Sequence, residues 1–142
     1  MFINKSLIKM LIYGLCMSFL TSALWAHDEG HESPGTLPPV GPHGGNYAKM
    51  ERHFAEVRVS GNRVTVYILE PDVKYVAEDA IDVGLVMELP GQPRRNLSLQ
   101  KVGEGYVANV DIPRTARRVL FHVSCSLDGN PESGTVQYEP RN

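Results

Sequence analysis

Residues 54–70 read FAEVRVSGNRVTVYILE, two runs of alternating apolar and polar residues separated by Gly61-Asn62. Successive side chains of a β-strand point to opposite faces, so this alternation predicts two half-buried strands. The inward face of the second strand would hold Val64, Val66 and Ile68. So short a turn between two such runs predicts an antiparallel hairpin.

Further alternating runs follow the hairpin, each bounded by Gly or Pro residues. They occupy residues 81–89, 96–102, 106–112, 117–126 and 134–139. No window has a convincing helical period of 3.6 residues. With the hairpin, these runs predict a single all-β domain: a seven-stranded antiparallel β-sandwich, immunoglobulin-like in topology, or a small barrel.

The N-terminus has the pattern of a secretory signal peptide. Two lysines precede an apolar run from Met10 to Leu20, and small residues follow it up to Ala26. This pattern predicts that residues 1–26 are removed on export to the periplasm, with cleavage after Ala23 or Ala26. The alternative is an uncleaved membrane anchor, since a bilayer is spanned by about 20 apolar residues. After cleavage we expect no stable membrane insertion.

Residues 27–46 read HDEGHESPGTLPPVGPHGGN, a segment rich in Pro and Gly with almost no apolar side chains. Such a composition cannot bury enough apolar surface to form a core. It predicts a flexible tail in front of the β-domain, which would occupy residues 47–142.

Charge and motif content exclude several classes of function. The chain has 14 Lys and Arg against 16 Asp and Glu, and a formal charge of −2. An acidic chain without clustered basic residues disfavours nucleic acid as a partner. No phosphate-binding glycine loop, serine elbow or catalytic pair of carboxylates occurs, so we predict that the protein is not an enzyme. Cys125, on the apolar face of its strand, is predicted to be a buried thiol.

Histidine placement is the most informative chemical feature, because neutral imidazole is a common ligand of zinc and copper. Four of the five histidines lie between residues 27 and 53. Met50 adds a thioether, which suits copper. The predicted ligands of a transition metal ion, copper or zinc, are His27, His31, His43, Met50 and His53.

Residues 41–70, GPHGGNYAKMERHFAEVRVSGNRVTVYILE, resemble small periplasmic proteins that accompany bacterial heavy-metal efflux systems. They are also similar to the N-terminal β-domain of some membrane-fusion subunits of those pumps. The shared pattern is a His-rich leader, a G-P-[HN]-G-G motif and a hairpin ending in V-x-V-Y. The resemblance extends over residues 27–85 and implies a β-sandwich that binds or senses transition metals. The resemblance also implies that the partner is a heavy-metal efflux complex.

Two functions of different classes remain open. One is a periplasmic metal-binding accessory protein that buffers copper, zinc or a similar ion or delivers it to an efflux or resistance system. The other is a non-metal interaction module of the cell envelope, in which the histidines are incidental. Metal titration of the mature protein distinguishes the two.

Overall fold

The computed structural model of the protein describes residues 39–141. Nine β-strands and no helix make up this part of the chain, so none of its segments is a helix able to cross a membrane. The strands are β1 (Asn46–Lys49), β2 (Phe54–Ser60), β3 (Arg63–Leu69), β4 (Ile81–Glu88), β5 (Arg95–Leu97), β6 (Gln100–Val102), β7 (Gly105–Asn109), β8 (Val119–Leu127) and β9 (Asn130–Tyr138).

Two antiparallel sheets form the domain. One has the strand order β1-β2-β3-β7-β6, and the other has the order β5-β4-β8-β9. A single hydrophobic core takes side chains from both sheets, among them Val64 and Val66 from β3 and Phe121 and Val123 from β8. The two sheets are therefore the layers of an open sandwich, and the predicted all-β class is confirmed, whereas the barrel alternative is wrong.

The hairpin predicted from residues 54–70 is present. β2 and β3 pair from Phe54 with Leu69 to Ser60 with Arg63, and Gly61 in the turn has a φ of 59°. Val64, Val66 and Ile68 are fully buried, because alternation places all three on the face that meets the second sheet.

The strand number differs from the seven predicted, for two reasons. The run 96–102 is divided: β5 pairs with β4 in one sheet, whereas β6 pairs with β7 in the other. Its alternating leucines, Leu97 and Leu99, both pack against the core, so one apolar pattern continues across the change of sheet. The ninth strand, β1, has only four residues and too short an apolar pattern to be recognised.

The ordered domain also begins before the predicted boundary at residues 46 and 47. Val40 forms a β-bridge with Asn46, and the N–H of Gly41 donates a hydrogen bond to the carbonyl of Gly45. Residues 39–46, assigned to the tail by their composition, thus belong to the folded structure. The predicted signal peptide and residues 27–38 lie outside the described residues.

Candidate functional site

The carboxylate of Glu56 is the centre of the first polar cluster. Glu56 lies in β2 on the face opposite to the core, yet it is fully buried, because the turn at Gly41–Gly45 covers it. The backbone N–H groups of His43 and Gly45 donate hydrogen bonds to its Oε1 at 2.9 and 2.8 Å. A buried carboxylate needs such donors to offset the loss of its hydration.

The glycines of the G-P-H-G-G motif make this cover possible. A Cβ on Gly41 would lie 2.5 Å from Cδ of Glu56, and one on Gly45 would lie 2.5 Å from the backbone carbonyl oxygen of Val57. Both distances are far below a van der Waals contact, so these positions accept only glycine without movement of their neighbours. The motif therefore has a structural role at Glu56 whether or not it has a chemical one.

The ring of His43 is held by a hydrogen bond and by an aromatic contact. Its Nδ1 lies 2.8 Å from Oε2 of Glu56, and the ring stacks on Tyr67 with centroids 3.7 Å apart and planes within 6°. Glu56 already accepts hydrogen bonds from two backbone N–H groups, so Nδ1 is assigned as the donor to its Oε2, and in that tautomer Nε2 keeps its lone pair. Nε2 lies 4.0 Å from Oε2 of Glu104, whose side chain is 69% exposed.

His53 repeats this arrangement with different partners. Its Nδ1 lies 2.9 Å from Oε1 of Glu132, and its own backbone N–H donates to Oε2 of the same carboxylate at 3.1 Å. Its Nε2 lies 3.7 Å from Oε2 of Glu70, whose side chain is 41% exposed. In both clusters, a buried glutamate binds the backbone and Nδ1 of a histidine, while Nε2 faces a second, accessible glutamate.

Hydrogen bonding determines the ionisation of Glu132. Burial alone would raise its pKa, but hydrogen bonds from the His53 ring and from the backbone N–H groups of His53 and Arg52 outweigh it and lower the pKa to about 2. Glu132 therefore stays ionised and continues to accept the proton on Nδ1 of His53.

His122 and Cys125, both in β8, are less able to bind a ligand than His43 and His53. Nε2 of His122 lies 2.7 Å from Oε2 of Glu88, and its Nδ1 lies 3.0 Å from the hydroxyl of Thr135, so both ring nitrogens have partners. The hydrogen bond from His122 lowers the pKa of Glu88. Cys125 is buried, as predicted, and burial, followed by the charges of Glu132 and Glu51, raises the pKa of its thiol to about 11.

The predicted metal ligands do not form one cluster in the described part of the chain. His43 and His53 belong to separate clusters with different carboxylates. Met50 is 6% exposed and packs in the hydrophobic core. His27 and His31 lie outside the described residues. Within residues 39–141, no group of three or more His, Cys, Asp or Glu side chains is arranged to hold a metal ion.

The four glutamates of these clusters were not predicted from the sequence. Glu70 and Glu104 become partners only because the fold brings them to a histidine. Glu56 lies between the buried Ala55 and Val57 and so has the pattern of an ordinary outward residue. Glu132 is 79 residues from His53 in sequence, and no local signal joins them.

No family model matches the sequence, and no curated protein matches it. Among solved structures, the chain is similar to one titled "Crystal structure of Br derivative BhCBM56", with a TM-score of 0.49 and 13% identity. The match covers 68% of this chain and 100% of that chain. A similarity this distant supports no argument about function.

Proposed function

We propose that the protein binds divalent transition-metal ions, copper or zinc, in the bacterial periplasm, and serves a heavy-metal efflux system as an accessory protein. The observation that carries the proposal is the repeated arrangement around His43 and His53. Each ring holds a buried carboxylate through Nδ1 and turns Nε2 toward an accessible carboxylate.

This arrangement prepares imidazole for metal binding. Metal-ligating histidines commonly donate their second ring N–H to a carboxylate, which fixes the tautomer, orients the ring and raises the basicity of the other nitrogen. Glu56 and Glu132 provide that hydrogen bond to His43 and His53 respectively. In each ring, Nε2 is therefore the nitrogen available to bind the metal.

The separation of the proposed ligand atoms agrees with a shared ion. Bonds from zinc to an imidazole nitrogen and to a carboxylate oxygen are each about 2.1 Å, so the two ligand atoms lie about 3.4 Å apart at a tetrahedral angle and at most about 4.2 Å apart. Nε2 and the carboxylate oxygen are 4.0 Å apart at His43 and Glu104, and 3.7 Å apart at His53 and Glu70. Small rotations of the exposed Glu104 and Glu70 side chains would shorten these two distances to the separation of tetrahedral ligands.

Two ligands per cluster leave an ion short of the four that zinc prefers. His27 and His31 are proposed to supply the other two ligands at one of the clusters. His31 precedes His43 by twelve positions, and an extended chain of that length reaches about 40 Å. Met50 is not part of the proposed site, because its side chain is buried in the core.

Two features of the sequence support export and the proposed efflux partner. Residues 1–26 have the signal-peptide pattern, and the similarity of residues 27–85 to efflux-associated proteins suggests the system that is served. Mass spectrometry of the protein from a periplasmic extract tests the location, because a mature chain would begin at Leu24 or at His27.

Calorimetric titration with Zn(II) and Cu(II) tests the metal proposal. The chain starting at His27 is compared with Glu70→Gln/Glu104→Gln, with His27→Gln/His31→Gln, and with the control Glu78→Gln, an exposed position outside both clusters. We expect both double variants to weaken binding about tenfold or more, since each loses ligands, and the control to bind like the parent chain. Equal affinity in all four proteins would contradict the proposal.

The second candidate is the non-metal interaction module of the envelope. One observation favours it: every histidine within residues 39–141 already has a carboxylate partner that gives it a structural role. Absence of binding of either metal by the unaltered chain would support this candidate.

The strand order supports an immunoglobulin-like topology. Immunoglobulin domains have strands A-B-E-D in one sheet and C-F-G in the other. With β2 as strand A, the order β2-β3-β7-β6 follows the first sheet and β4-β8-β9 follows the second. β5 then corresponds to the additional strand beside C, and β1 is an extra edge strand. An experimental structure of the domain tests this assignment through the pairing of β3 with β7.

A further inference from the structure

Two adjoining clefts lie beside the β2–β3 turn, and no residue of the histidine clusters lines either of them. The smaller one has a volume of about 330 Å³ and is lined by Arg58, Ser60, Asn62, Arg63 and Thr65. The larger one has a volume of about 660 Å³ and extends from Arg63 along β6 and β7 and over the link from β5. Arg63 is shared by both clefts, so they form a continuous surface.

The two arginines are close together because of the hairpin register. Arg58 pairs with Thr65 and Ser60 pairs with Arg63, so Arg58 and Arg63 are diagonal neighbours. Both alternate with inward-facing valines, which places them on the outer face of the sheet. Diagonal neighbours lie about 7–8 Å apart, within reach of long side chains.

The charge of these arginines is not neutralised by the described part of the chain. Among the arginines of residues 39–141, Arg52 and Arg94 form ion pairs, and Arg58 and Arg63, like the remaining ones, form none. No Asp or Glu is among the residues that line either cleft. Two neighbouring cations without an ion pair give this part of the surface a positive potential, although the chain has a formal charge of −2.

We propose that this surface binds an oxyanion carried on a hydroxylated body, the chemistry of a sugar acid. Guanidinium groups match carboxylate and phosphate in a bidentate manner, and the hydroxyls of Ser60 and Thr65 add donors between the two arginines. The anionic group occupies the smaller cleft.

The larger cleft accommodates the hydroxylated body. Its polar lining residues are Arg63, Asn96, Ser98, Gln100 and Asn109. Amide side chains both donate and accept hydrogen bonds, which suits hydroxyl groups. No aromatic side chain lines either cleft, so a neutral sugar cannot stack on an aromatic ring there. The affinity for the ligand therefore depends on the charge of the two arginines.

Amide chemical shifts of the ¹⁵N-labelled chain starting at His27 test the proposal with D-glucuronate, inorganic phosphate and D-glucose. We expect glucuronate to shift amides along both clefts, phosphate to shift only those from Arg58 to Thr65, and glucose to shift neither set. Tri-galacturonate separates two sources of the same chemistry: tighter binding than glucuronate points to a polymer, and equal binding to a free sugar acid.

Arg63→Gln and the control Arg117→Gln complete the experiment, since Arg117 is exposed and lies outside both clefts. We expect Arg63→Gln to weaken glucuronate binding about tenfold or more, as for loss of a charged hydrogen bond, and Arg117→Gln to leave it unchanged. Three results would overturn the proposal: no shifts with glucuronate, equal shifts with glucose, or equal weakening by the two substitutions.

Discussion

The backbone of Gly41 lies against the carboxyl group of Glu56, so closely that a Cβ on Gly41 would be 2.5 Å from Cδ and 2.8 Å from both carboxylate oxygens. Glu56 is fully buried under this turn and receives two backbone N–H groups and a histidine ring from it. The turn and the strand therefore stabilise each other, because neither the carboxylate nor the N–H groups would be satisfied alone.

Gly41→Ala is expected to destabilise the domain by about 1–3 kcal/mol, the usual cost of forcing an additional carbon into a packed site. The added methyl group would displace either the turn or the Glu56 carboxylate. Urea denaturation of Gly41→Ala and of Pro42→Ala, an exposed neighbour, measures the effect. Equal midpoints for the two variants would show that the close approach is not maintained in solution.

Glu56→Ala is expected to cost about 3–5 kcal/mol, because each buried donor that loses its acceptor costs about 1–3 kcal/mol. The substitution leaves the N–H groups of His43 and Gly45 without an acceptor and opens a cavity beneath the turn. Glu104→Ala is the matched control, because Glu104 is exposed and its oxygen is 4.0 Å from the ring. A cost below 1 kcal/mol for Glu56→Ala would contradict the buried site.

The β-class could be predicted because it depends on local alternation. Val64, Val66 and Ile68 follow a period of two, and the short Gly61-Asn62 turn leaves only one way for the strands to pair. The division of the run 96–102 could not be predicted, because Leu97 and Leu99 alternate regularly through it. The two halves belong to different sheets for reasons of long-range pairing alone.

The candidate site was predictable only in part. His43 and His53 stand out as residues able to bind metal, and the glycines around His43 indicate a close backbone approach. The acidic partners are set by tertiary structure: Glu132 reaches His53 from the last strand. Met50 illustrates the opposite case, since a thioether that resembles a soft ligand in sequence is a core side chain in the fold.

Val66→Asp is expected to destabilise more than His43→Ala does. Val66 is fully buried at the centre of β3, and an unpaired carboxylate there costs several kcal/mol or shifts its pKa sharply. His43→Ala removes the ring that stacks on Tyr67 and a hydrogen bond to Glu56, so its cost of about 1–3 kcal/mol exceeds that of an ordinary surface change. Guanidinium denaturation midpoints rank the two, and the reverse order would contradict the assigned faces.

The thiol of Cys125 is expected to be unreactive in the folded protein. Burial raises its pKa to about 11, so almost no thiolate is present at neutral pH, and the side chain is 5% exposed. Ellman's reagent at pH 8 should react slowly with the native chain starting at His27, whose one cysteine is Cys125, and rapidly in 6 M guanidinium chloride. Rapid reaction of the native protein would show that β8 opens or that the thiol is accessible.

The last prediction concerns acid stability and the Glu132–His53 pair. The pKa of Glu132 falls from its ordinary value of 4.5 to about 2 in the folded chain, despite burial, because His53 and two backbone N–H groups bind the carboxylate. Between these values the unfolded chain binds a proton that the folded chain does not. The free energy of unfolding contributed by Glu132 is therefore fully present above about pH 4.5 and is lost as the pH falls toward 2.

Urea denaturation at intervals from pH 6 to pH 2.5 measures this contribution in the parent chain and in Glu132→Gln. Glutamine does not titrate, so the variant should be less stable at pH 6 and should lose less stability on acidification, and the two curves should converge near pH 2.5. Glu78→Gln, at an exposed loop position, controls for the change in net charge and should follow the parent curve. Parallel curves for the parent chain and Glu132→Gln would mean that Glu132 titrates alike in the folded and unfolded states, and the proposed hydrogen bonds to its carboxylate would then be absent in solution.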